Sequence, residues 1–138
     1  MPARQLNVRQ AVLDEMAAHA RDEMPLECCG LLLGNGDVVD TAVRVRNARP
    51  SAGRYLIDPA DHFAALRLAR AGGRQIVGAY HSHPASPPVP SPRDLAEAAD
   101  PELVHVIVRP GTGGRPAEAR AFRLAEGNFL ELDLVSLP

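Results

Sequence analysis

The stretch "QIVGAYHSHPASPPVPSPRD", residues 75 to 94, restricts the fold more than any other part of the chain. It begins with a short apolar run, bounded upstream by Gly72-Gly73, that reads as a core strand over 75–81. Five prolines then fall between positions 84 and 92. Proline fixes φ and carries no N–H, so this segment can enter neither a helix interior nor a central sheet ladder. The loop ends at Ser91-Pro92-Arg93-Asp94, a helix start with serine as N-cap, proline at N1 and an acidic N3. The chain must therefore run strand, stiff loop, helix, with two histidines at the end of the strand.

The remaining elements fit around this unit. Asn7 is placed to cap a helix over 8–23, with Gln10 at the capping-box position and Val12, Leu13, Met16, Ala17 and Ala20 on one face. "CCGLLLG" and "VVDTAVRV", separated by a turn around "GNGD", predict a buried hairpin. "DPAD" at 58–61 starts a second helix over 59–71 that stops at Gly72-Gly73. After the proline loop, "PRDLAEAA" reads as a short helix and "LVHVIV" as another buried strand. "PGTGGRP" reads as a turn, and the alternation on either side of Glu126-Gly127-Asn128 as a closing hairpin. The expected class is α/β (α+β), a mixed central β-sheet flanked by helices. At 138 residues it fits a single domain over 1–138 that buries about two thirds of the surface its unfolded chain exposes.

Charge and composition narrow the function. The formal net charge is -2 and there is no Trp and few other aromatics, so the long-range attraction of a nucleic-acid binder is missing and stacking surfaces are scarce. No apolar stretch has the length of a membrane span or the form of a signal peptide, and the expected location is the cytoplasm. Cys28 and Cys29 are adjacent, a strained pairing that would staple nothing, so both are expected as reduced structural thiols.

The histidines carry the chemistry. Residues i and i+2 of a strand share a face, so His81 and His83 can aim two imidazoles at one ion while Ser82 points away. The stiff loop lowers the entropic cost of bringing Asp94 back as a third ligand. Two imidazoles and a carboxylate match catalytic zinc sites that keep one position open for water. Hydrolysis also needs a base, for which Glu27 is the candidate, and an oxyanion donor, for which Ser91 is. Each has a plainer reading. Asp58-Pro59-Ala60-Asp61 repeats the layout of the Ser91 segment with no histidine pair before it, and Glu27 alone reads more readily as a surface or cap residue. His19 and His62 read as solvated residues and His105 as a core histidine. A cysteine nucleophile lacks an adjacent base.

Taken together, Glu27, His81-Ser82-His83-Pro84, a short gap, and Ser91-Pro92-Arg93-Asp94 resemble the pattern of the JAMM (MPN-type) metalloproteases. "PLECCGLLLG" around Glu27 resembles the bacterial branch of that family, and the likeness covers essentially the whole chain. The resemblance implies a cytidine-deaminase-like fold and one zinc ion held by His81, His83 and Asp94. It also implies that Glu27 activates water and that Ser91 stabilises the tetrahedral intermediate. Only a short helix separates Asp94 from the next strand, where ubiquitin-cleaving members carry a long insertion. The implied substrate is therefore the C-terminal tail of a ubiquitin-like sulfur-carrier protein, an extended Gly-Gly segment lying beside an open strand edge. The alternatives are a zinc peptidase acting on short free or cell-wall peptides and a non-catalytic MPN binding module. The acidic balance argues against the similar DNA-repair-associated group.

Overall fold

A computed structural model of the chain describes residues 4–50, 55–97 and 102–138. The elements run β1 (Gln5–Arg9), α1 (Gln10–Glu23), β2 (Cys29–Asn35), β3 (Val38–Val45), α2 (Pro59–Ala71), β4 (Gln75–Ser82), α3 (Pro92–Glu97), β5 (Val104–Arg109), β6 (Glu118–Ala125) and β7 (Asn128–Leu137). The expected mixed sheet flanked by helices is present, and it also closes into a barrel in the order β1-β3-β2-β4-β5-β6-β7. The pairs β1–β3, β1–β7 and β4–β5 are parallel and the others antiparallel. Each strand has hydrogen-bonded neighbours on both sides over part of its length, but β1 meets β3 only at Asn7–Val38 and Val8–Val39, so Asp40–Val45 of β3 pair with β2 alone and keep an open edge.

Closure depends on β1, which occupies residues read from the sequence as the cap and first turn of a helix. Leu6 and Val8 are buried with exposed or half-buried residues between them, the period of a strand. Asn7 is no cap. Its Nδ2 donates to Asp37 Oδ2 at 3.2 Å, and α1 starts only at Gln10, with Arg9 at the N-cap making no side-chain hydrogen bond. The two hairpins and α2 lie where expected. Asp58 Oδ2 accepts from the Asp61 N–H at 3.1 Å and caps α2. Glu126 (φ 51°) and Gly127 (φ 82°) supply the two successive left-handed residues that a tight β6–β7 turn needs. Residues 98 and 99, expected to continue α3, lie outside the described residues.

Two cores explain the continuous apolar character of β2. Val12, Met16 and Ala20 of α1 pack with Leu6, Val8, Cys28, Leu32, Tyr80 and Val106 on one face of the sheet. On the other face Ala65 of α2 packs with Cys29, Leu31, Val45 and Ala79. A strand covered on both sides loses its polar alternation. Gly30 lies opposite Tyr80, and a Cβ there would run into the Tyr80 ring. The Tyr80 hydroxyl lies 2.7 Å from His19 Nδ1, so His19, expected to be solvated, is a buried residue that ties α1 to β4. Its helical position faces the core, and burial lowers its pKa. His62 is exposed and His105 half-buried beside Phe129. No described helix is long and apolar enough to cross a membrane.

Candidate metal centre

β4 ends against the start of β2, in the register Cys29 opposite His81. The His83 N–H continues the contact with β5 by donating to the Val108 carbonyl at 2.9 Å. Ser82, fully buried between the histidines, faces the other way: its Oγ accepts from the Cys28 N–H at 2.9 Å. Its N–H donates to the Cys28 carbonyl at 3.1 Å. These bonds fix the pleat that turns both imidazoles to one side.

The proline loop then acts on the ligands directly. His83 Nδ1 lies 2.8 Å from the Pro87 carbonyl, which can only accept. That bond places a hydrogen on Nδ1, so the lone pair of the neutral ring lies on Nε2. At the far end of the loop, Ser91 and Asp94 cap each other: the Ser91 N–H donates to Asp94 Oδ2 at 2.9 Å and the Asp94 N–H to Ser91 Oγ at 3.0 Å. Asp94 Oδ2 is therefore aimed by the start of α3. It lies 3.1 Å from His83 Nε2, while Oδ1 lies 3.3 Å from His81 Nε2 and the two Nε2 atoms are 3.2 Å apart.

His81, His83 and Asp94 thus offer ligand atoms that all lie within 4.8 Å of one another. Two imidazole nitrogens this close, both facing a carboxylate, need a hydrogen or a cation between them. A proton meets that need for one pair, but a divalent cation satisfies all three donors, and nitrogen plus oxygen donors suit such an ion. The electrostatics agree. Burial alone would raise Asp94, yet the hydrogen bonds of His81 and His83 outweigh it and hold the carboxyl well below the usual range. Burial lowers His83, but Asp94 and the Pro87 carbonyl raise it further.

Glu27 is 6% exposed and immediately precedes Cys28. Extending the register from Cys29–His81 through Cys28–Ser82 puts it across from His83, on the face of both imidazoles, and its charge contributes to raising His83. A cleft of about 470 Å³ reaches it between α1 and the end of β3, beside Asn47, Pro50 and Asp61. A larger cleft of about 650 Å³ opens near Gln75, Val104 and Arg123, at the opposite end of β4 from the histidines. Burial pushes the Cys28 thiol up to about 11 and that of Cys29 to about 12, which keeps both neutral and supports the structural reading.

Two neighbours escaped sequence reasoning. The Tyr55 ring stacks on His81 with centroids 4.5 Å apart and planes at 21°. Asn47 Nδ2 donates to the Glu27 carbonyl at 3.0 Å. Neither residue belongs to a regular element, and the sole local signal was an aromatic residue shortly before a helix cap.

A family model described as prokaryotic homologs of the JAB domain matches residues 9–125. The chain belongs to this family. The resemblance carried by Glu27, the His-x-His-Pro segment and Ser-x-x-Asp therefore holds. This JAB protein is 38% identical over 128 residues to a probable TtuB-protein conjugate cleaving protease from Thermus thermophilus, covering 92% of this chain and 81% of that one. It is 36% identical over 118 residues to a desampylase from Haloferax volcanii, covering 80% and 84% of the two chains. A protein from Desulfitobacterium hafniense solved in solution shares its fold, with a TM-score of 0.86, 29% identity and coverage of 96% and 92%.

Proposed function

We propose that this JAB protein is a zinc-dependent isopeptidase that hydrolyses an amide bond at the C-terminal tail of a ubiquitin-like sulfur-carrier protein. In this reading it works in the cytoplasm as a single domain over 1–138, with one zinc ion per chain. The supporting observation is the convergence of His81, His83 and Asp94 beside the buried carboxylate of Glu27. The relatives named for conjugate cleavage support the substrate class.

Zinc, when bound by His81, His83 and Asp94, supplies Lewis acidity: it makes water acidic enough to react near neutral pH and polarises a carbonyl oxygen. The chain's own groups do the rest. Glu27 accepts a proton from the attacking water and delivers it to the leaving nitrogen, so the amine departs neutral. The Ser91 hydroxyl accepts from the Asp94 N–H and so keeps its hydrogen for the oxygen of the tetrahedral intermediate. The Pro87 carbonyl holds His83 in the tautomer that presents Nε2.

The test is cleavage of a ubiquitin-like carrier protein fused through its C-terminal glycine to a reporter, with and without chelator, alongside metal analysis of the purified protein. Zinc at one equivalent and chelator-sensitive release of the reporter are expected. Equal cleavage of unrelated short peptides would return the function to a general peptidase, and folded protein that takes up no divalent ion would leave only a binding module.

A further inference from the structure

Among the described residues between β3 and α2, Asn47 and Tyr55 reach the site. Asn47 uses both ends of its amide. Nδ2 donates to the Glu27 carbonyl at 3.0 Å, while Oδ1 accepts from the N–H of Leu56 at 2.8 Å and of Arg49 at 3.0 Å. The backbone reinforces the second arm. The Ala48 N–H donates to the Leu56 carbonyl at 2.7 Å, and Asn47 and Ile57 form an antiparallel bridge. The residue next to Leu56 is Tyr55, whose ring lies on His81. One half-buried amide therefore grips the residue that bears the proposed base and, from its other end, the segment whose aromatic ring covers a proposed ligand.

We propose that Asn47 is a positioning residue that sets Glu27 and the Tyr55 segment in one fixed relation. The inference rests on the reading of Glu27 as the base. A carboxylate that must reach both a water and a leaving nitrogen tolerates little displacement, since a misplacement of about 1 Å costs on the order of 100-fold in rate. The Glu27 backbone is held on one side by the Cys28–Ser82 bonds, and Asn47 supplies a hold on the Glu27 carbonyl itself. Tyr55 stacks on one face of His81, so the same side chain sets the position of the base and of the ring that borders the proposed ligands.

The two arms separate chemically. Aspartate at position 47 has the same shape and keeps the acceptor oxygen for Leu56 and Arg49 but turns an oxygen in place of the N–H toward the Glu27 carbonyl, so that bond is replaced by repulsion; alanine loses both arms. With the carrier-fusion substrate, Asn47→Asp is expected to lower kcat about tenfold with KM unchanged, the rate equivalent of one lost hydrogen bond of about 1.4 kcal/mol. Asn47→Ala is expected to lower kcat similarly and also to raise KM. Tyr55→Ala should raise KM alone, and adding it to Asn47→Ala should raise KM little further, because both act through one segment. Bound zinc should be unchanged in all of these variants.

Amide hydrogen exchange reads the coupling without turnover. Protection of the Leu56 N–H should survive in Asn47→Asp and vanish in Asn47→Ala. If wild-type protein cleaves no carrier fusion, the isopeptidase reading fails while Leu56 exchange still decides whether Asn47 joins the two segments. A wild-type kcat in Asn47→Asp, or unchanged Leu56 protection in Asn47→Ala, would overturn the inference.

Discussion

Ser82 holds the Cys28 peptide unit at both ends, through Oγ to its N–H at 2.9 Å and through its own N–H to the Cys28 carbonyl at 3.1 Å. Because Ser82 lies between His81 and His83 and Cys28 follows Glu27, this pair sets the spacing between the ligands and the proposed base. Ser82→Ala leaves the buried Cys28 N–H without its acceptor, at a cost of about 1–3 kcal/mol. Urea unfolding should show that loss, and turnover should fall while zinc content is retained. Stability equal to wild type would mean that another group satisfies the Cys28 N–H.

Glu27→Gln removes the base without touching a ligand. Zinc content should stay at one per chain while kcat falls about 10²- to 10⁴-fold, the usual range for losing a general base. Metal analysis and single-turnover kinetics on the same sample separate the two effects. A variant that keeps turning over would place the base elsewhere.

Ser91 carries two duties, the cap of α3 and the proposed hydrogen bond to the oxyanion. Ser91→Ala should therefore lose about 1 kcal/mol of stability from the cap and about 10²- to 10³-fold in kcat from the missing donor. Ser91→Thr keeps a hydroxyl at the same place and should restore both. Loss of stability with full activity would reduce Ser91 to a cap, as the matching start of α2 at Asp58 shows is possible.

The His83 share of the pH response should change sign with zinc. In metal-free protein the Asp94 pKa is held down, so its contribution to stability is present above the ordinary carboxylate value of 3.8 and is lost as pH falls through the depressed value. The His83 pKa is raised, so its contribution is present below 6.5 and is lost as pH climbs through the raised value. The lowered pKa of buried His19 works the other way below 6.5, so the His83 share is read against His83→Ala: between about pH 8 and about pH 5.5 metal-free wild type should gain more Tm, or lose less, than that variant. Zinc needs deprotonated imidazoles, so the rise in Tm on adding zinc should be larger at about pH 8 and activity should drop below about pH 6. A zinc-induced rise that grows on acidification would contradict the ligand set.

The site was more legible than the frame around it. His81, His83 and Asp94 announce themselves because strand periodicity, a proline loop and a helix cap are all local signals. The structure brings these three residues together as the sequence suggested. β1 was missed for the opposite reason. Its five residues are short, Asn7 imitates a cap, and its partners lie in β7, such as Ser136 opposite Val8, at the far end of the chain. His19 was misjudged because a polar residue on a helix says nothing about which strand faces it. Asn47 and Tyr55 sit in irregular backbone, where function depends on tertiary contact alone.

Closure of the sheet has a consequence beyond this site. A wall whose borders are mostly paired gives neighbouring copies little template on which to stack strand upon strand, the usual first step toward fibrils. Concentrated solutions should accordingly resist that form of aggregation. An extended visitor still finds a strand border at Asp40–Val45 of β3, which pair with β2 alone.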